Sequence, residues 1–181
     1  MEVSTLRTLS LLRHAKSSWK NPALPDRERP LNARGMGDAP AMGRTMSERG
    51  IDPELVLCSS AQRTVDTLAL VLPELKIEPK VIYEDALYHA SPDDMLNMLR
   101  GLQPGARSVL LIGHNPEIQA LALGLVGSGP KELRDRLSEK YPTAGLAVIN
   151  FTAGLWSSVD AGSGSLSLFL VPRDVRGDAE P

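Results

Sequence analysis

Cysteine is almost absent from this chain. Cys58 stands alone among 181 residues, which excludes an internal disulfide and any cysteine-built zinc site, and suits a reducing compartment. Neither sign of charge dominates: 20 Lys plus Arg face 22 Asp plus Glu. Net charge therefore gives no electrostatic case for nucleic acid or an anionic membrane, and any anion site must be local. No segment approaches the roughly 18 consecutive apolar residues of a membrane span. The opening "MEVSTLRTLSLLRHAKSS" holds one short apolar run, broken by charge, with no small-residue cleavage pattern behind it. There is no internal repeat. The expectation is a soluble cytoplasmic protein without a nucleic-acid or membrane partner. Its length suits one domain over residues 1–172, followed by a loose polar tail, "RDVRGDAEP", over 173–181.

What the chain does have is alternation. The apolar runs "TLSLLRH", "LVLCSS", "KVIYED", "SVLLIGH", "LAVINFT" and "LSLFLVP" are rich in β-formers, and most are followed by a segment with helical spacing. This pattern predicts an α/β layered domain with a largely parallel, buried sheet. In "SPDDMLNMLR" Ser91 is placed as N-cap, Pro92 at the first helical position and Asp94 in the first turn. "NPEIQALALGLVG" predicts a helix with Pro116 near its start and Gly127 at its far end, and "PKELRDRLSEK" a more exposed, charged one. The last two runs are joined by "AGLWSSVDAGSGS", which predicts an antiparallel hairpin at a sheet edge.

Chemistry collects where these strands end. The first strand runs into Arg13 and His14, the second into "CSSAQRT" with Arg63 on the next helix, the fourth into "IGHNP" with His114. Ligands of open α/β sheets bind at the carboxyl ends of strands. The long loop "KSSWKNPALPDRERPLN" follows the first strand and adds Arg29, with Arg34 just beyond. Two histidines and several arginines on one rim, beside helix N-termini, suit a phosphoryl group. Either histidine alone would be an ordinary hydrogen-bonded strand-end residue, and Arg63 alone a solvated one. Zinc is disfavoured, because the adjacent cations would repel it and the third ligand would have to be a carboxylate.

"LLRHAKSSW", "DRERPLNARG", "VLCSSAQRT" and "LIGHNP", in this order, resemble the histidine phosphatase superfamily, and within it the short SixA-type phosphohistidine phosphatases. The closing "LSLFLVPRDV" is similar too. The resemblance implies a three-layer α/β/α sandwich of the phosphoglycerate mutase-like kind, with about six strands and an antiparallel edge. It implies His14 as nucleophile, forming a phosphohistidine intermediate that water hydrolyses. Arg13, Arg63 and His114 match the family's phosphate pocket, and Arg29 of "RPL" a further phosphate-binding arginine of the short branch. Arg34 either lines or caps the loop. Arginine suits the task through its planar fork, and with that positive charge in place neither metal nor cofactor is called for.

The general acid stays open. Larger members of the superfamily reach one after the third strand, where this chain reads "YEDALYHAS". Glu84, Asp85, His89 or no residue at all could serve. A missing acid is costly for an alkoxide leaving group and matters less for the labile P–N bond of phosphohistidine. The implied partner is a histidine-phosphorylated protein such as a phosphorelay domain. The alternatives are a phosphatase of small phosphate esters, an idle phosphoryl-binding module and a mutase, the last disfavoured by the lack of a cap. Trp19 is expected to pack the loop onto the body, with a place on a docking rim as the alternative.

Overall fold

The computed structural model describes residues 6–176. Its strands are β1 (Leu6–Arg13), β2 (Leu55–Ser59), β3 (Lys80–Glu84), β4 (Ser108–Gly113), β5 (Val126–Ser128), β6 (Leu146–Thr152) and β7 (Gly164–Leu170), and its helices α1 (Ala33–Glu48), α2 (Gln62–Val71), α3 (Pro92–Arg100), α4 (Glu117–Leu125), α5 (Lys131–Glu139) and α6 (Pro172–Val175). The strands form one sheet in the order β3-β2-β4-β1-β6-β7-β5. β6 is antiparallel to both of its neighbours, β1 and β7, while the other pairs are parallel.

Period-two alternation decides which helix meets which face. Leu9 and Leu11 of β1, Leu55 and Leu57 of β2, and Val109 and Leu111 of β4 pack with Met95 and Leu99 of α3, Ile118 and Leu121 of α4 and Leu137 of α5. The intervening Leu12, Val56, Cys58, Leu110 and Ile112 pack on the other face with Met42 and Met46 of α1 and Leu68 and Val71 of α2. A continuously apolar strand such as β4 is what a sheet covered on both faces requires.

Three expectations change. The antiparallel hairpin is present, but it is not the edge: β6 lies inside, and the short β5 pairs with β7 beyond it. Gly127 does not end a helix. α4 stops at Leu125 and Gly127 lies in β5, where a Cβ would come within 1.9 Å of the Gly162 carbonyl oxygen. The polar tail begins as an anchored turn: Arg176 pairs with buried Asp38 at 2.9 Å, and Asp174 with Arg136 at 2.6 Å. Residues 177–181 lie outside the described part. By contrast α3 starts as its sequence reads, with Ser91 and Asp94 forming a reciprocal capping box.

Candidate active site

Register brings the strand-end residues together. Arg13 pairs with Gly113 across β1 and β4, so the next residue on each chain is a histidine, and His14 N–H donates to the Gly113 carbonyl at 3.1 Å. Cys58 pairs with Ile112 across β2 and β4, which sets Ser59 beside the same level. The rings of His14 and His114 lie 5.3 Å apart. Arg63 enters from the first turn of α2, anchored below by Thr67, whose hydroxyl donates to the Arg63 carbonyl and accepts the Ala15 N–H.

The two imidazoles carry complementary tautomers. His14 Nδ1 is 2.7 Å from the Ala15 carbonyl oxygen, which can only accept, so Nδ1 holds the hydrogen and Nε2 keeps the lone pair. His114 Nε2 is 2.8 Å from the Ser59 hydroxyl, which also receives the Ala61 N–H at 3.4 Å. Ser59 is fully buried, and donating its one hydrogen to His114 Nε2 satisfies it. The proton of His114 is then on Nδ1, buried and without a partner. Burial first, and then the neighbouring His114, Arg63 and Arg13, push the His14 pKa down to about 3. Burial and Arg63 push His114 down to about 4, with Asp26 opposing. Both rings are therefore neutral near pH 7.

The arginines divide their hydrogen bonds between protein and pocket. Arg13 Nη1 donates to the Tyr141 carbonyl at 2.8 Å, and Arg63 Nη1 to the Asp26 carbonyl at 2.8 Å. The Nε groups of Arg13 and Arg63 are buried without a partner. These two donors and His114 Nδ1 belong to the residues whose charges or rings act on neutral His14, and unpartnered donors beside a neutral imidazole can receive the oxygens of a phosphoryl group.

Residues 9–91 match the family model described as "Histidine phosphatase superfamily (branch 1)". A solved structure from Nakamurella multipartitia, of a protein assigned as phosphohistidine phosphatase SixA, is 31% identical. The match covers 92% of this chain and 96% of that one, with a TM-score of 0.76. The chain belongs to the histidine phosphatase superfamily, in its SixA-type branch. A similarly assigned SixA structure from Agrobacterium tumefaciens is 29% identical over 92% of this chain and 98% of that one, with a TM-score of 0.78. The uncharacterized protein ML1117 of Mycobacterium leprae is 36% identical over 90% of this chain and its own full length.

Within this SixA-type fold the remaining expected residues occupy distinct places. Arg29 Nε donates to Asp26 at 3.0 Å and its Nη1 to the Ser17 hydroxyl at 2.7 Å. Arg34 pairs along α1 with Asp38 at 3.5 Å. Glu84 accepts the Ala86 N–H and so caps its own turn. Asp85 is exposed and bonded to Ser60 and Arg27, which hold its carboxyl below the usual range. His89 is exposed and packs its ring 4.2 Å from Tyr88, whose ring in turn meets His114 at 5.6 Å. Trp19 does not pack into the body: it is 71% exposed, with the Arg29 guanidinium stacked 3.6 Å from its ring.

Four participants were not singled out from sequence: Asp26, Ser59, Tyr88 and Tyr141. Tyr141 is fully buried, donates to the Leu11 carbonyl and accepts from Ala147 N–H, holding the turn whose carbonyl fixes Arg13. Asp26 and Ser59 stand inside the motif blocks "DRERP" and "CSS", and a search for acceptors to accompany the arginines could have found them. Nothing local marks Tyr88 or Tyr141. Among the described residues no cluster of histidine, cysteine or carboxylate side chains suits a metal ion, and no helix is long and apolar enough to cross a membrane.

Proposed function

We propose that this protein is a phosphohistidine phosphatase acting on histidine-phosphorylated proteins, with His14 as nucleophile. The observation that carries the reading is the neutral His14, its Nε2 unprotonated, beside the three unpartnered buried donors of Arg13, Arg63 and His114. His14 Nε2 attacks phosphorus in line, the bond to the substrate imidazole breaks, and that imidazole leaves with a proton from solvent. Water then attacks the phosphorus of the enzyme's own phosphohistidine, and inorganic phosphate is released as His14 regains its lone pair. Arg13, Arg63 and His114 hold the equatorial oxygens through both steps.

Two observations support a phosphoramidate over an ester. Asp26 and Asp85, the carboxyls bound to the loop's arginines, are both held more acidic than usual, Asp26 at about 2. A group that gives up its proton so readily is a poor general acid near pH 7, and an imidazole leaving group does not need one. Trp19 is exposed and stacked on Arg29, which pairs with the same Asp26 that holds Arg63, so a large apolar surface that a protein substrate could meet stands one residue away from the arginine network.

The deciding assay is phosphate release from a phosphohistidine-bearing protein domain beside a panel of sugar phosphates, with wild type and His14→Ala. Release from the protein that disappears in the variant is the expected result. Turnover of sugar phosphates alone would make the enzyme an ester phosphatase, and phosphate binding without turnover an idle module.

A further inference from the structure

Asp26 sits where the arginines meet. Its carboxylate accepts from Arg29 Nε at 3.0 Å, Arg63 Nη2 at 3.1 Å and the Tyr88 hydroxyl at 2.6 Å, donors from three separate segments. Its backbone carbonyl takes Arg63 Nη1 as well. Both terminal nitrogens of Arg63 are thus held by a single residue. A guanidinium is a rigid planar fork, so fixing its two ends fixes the direction of the third donor, the bare Nε. Arg13 is held at one end only, with one terminal nitrogen on the Tyr141 carbonyl and Nε left unpartnered.

Arg29 is built differently. Its Nε and Nη2 face Asp26, its Nη1 faces Ser17 and Ser18, and one guanidinium face is covered by Trp19. Besides burial and His114, the groups that depress His14 are Arg63 and Arg13, and Arg29 is not among them. Asp26 also separates two guanidinium groups that would otherwise repel each other, so removing it would both free the fork of Arg63 and drive the arginines apart.

We propose that Asp26 is the positioning residue of the phosphoryl site, and that Arg29 and Tyr88 act through Asp26 rather than on the phosphoryl group itself. The inference rests on the phosphatase reading and deepens it, moving Arg29 from the expected phosphate contact to the support of Arg63.

A double-mutant cycle tests it, with Asp26→Asn, Arg29→Gln and the double variant, and with Tyr88→Phe as a milder probe. The readouts are kcat and KM on the phosphohistidine protein, the affinity for inorganic phosphate, and thermal unfolding to show that each variant is folded. Each of the two single variants should lose about 100-fold in kcat/KM, the scale of a misplaced binding group. The double variant should be no worse than the worse single one, because removing either partner breaks the same support. Tyr88→Phe should shift the same parameters in the same direction, by less. Phosphate affinity should fall in all of them.

Losses that multiply in the double variant would place Arg29 directly on the phosphoryl group and overturn the proposal. Tighter phosphate binding by Asp26→Asn would also overturn it, since the carboxylate would then be a competitor for the pocket. If the native enzyme prefers an ester but the cycle still couples, the substrate reading falls and the positioning role stands.

Discussion

At the scale of single residues, the site depends on keeping two imidazoles neutral. His14 is buried to 7% exposure and has its pKa near 3, far below the usual 6.5. The sign of the resulting pH dependence follows directly. Between about pH 6.5 and 3 the unfolded chain protonates this residue while the folded one does not, so the unfolded state binds more protons and stability falls with acidification. His114 adds the same effect between about 6.5 and 4, each ring contributing at most about 1.4 kcal/mol per pH unit. Urea unfolding at pH 4.5, 5.5 and 6.5 should show this slope, and His14→Asn should flatten it. An equal slope in the variant would mean that His14 is protonated in the folded protein. The carboxylate of Asp26 works in the same direction but lower, losing its contribution as pH falls from about 3.8 to about 2.

Among elements, the segment between β1 and α1 controls how the arginines reach the site. It is tied down by the Ser17–Leu31 bridge, by the Asn32 N–H to the Lys16 carbonyl, and by the Leu31 N–H to Asp66. α1 begins against it so closely that a Cβ on Gly35 would lie 2.2 Å from the Lys16 carbonyl oxygen. That neighbour is backbone and cannot swing aside. Gly35→Ala should therefore push α1 off the loop, costing about 1–3 kcal/mol as overpacking does and lowering kcat/KM by at least tenfold, because Lys16 follows His14 by two residues. Ser91→Ala supplies the contrast. Loss of that capping box should cost about 1 kcal/mol and leave kcat/KM alone. Equal effects of the two changes on kcat/KM would show that the loop does not position the site. This level also marks the limit of what the sequence reveals. The β-rich apolar runs and the strand-end histidines are local signals, and they were legible. The partners that aim Arg13 and Arg63 come from Tyr141 and Asp26, distant in sequence, and only the fold brings them into contact. β5 was missed for a related reason: three residues, two of them exposed, carry no hydrophobic pattern to read.

For the molecule as a whole, the proposed phosphoryl site is a junction. Arg13 and His14 leave β1, Ser59 and Arg63 bracket the turn between β2 and α2, His114 leaves β4, and the loop supplies Asp26. The donors proposed to meet the anion, Arg13, Arg63 and His114, span 101 residues of sequence, so an anion that binds all three binds only the folded chain. Mass action then makes occupancy a stability measurement. Inorganic phosphate at about 100 times its dissociation constant should add roughly 2.7 kcal/mol, a rise of about 5–10 °C in Tm for a domain of this size. Arg63→Ala should abolish that rise. Arg34→Ala should keep it, because Arg34 is paired with Asp38 on α1 and has no contact with the pocket donors. Calorimetric scans of the three proteins with and without phosphate decide the matter: equal protection of Arg63→Ala would place the bound anion elsewhere on the surface, whereas protection that follows Arg63 and ignores Arg34 ties the binding energy to the junction at the strand ends.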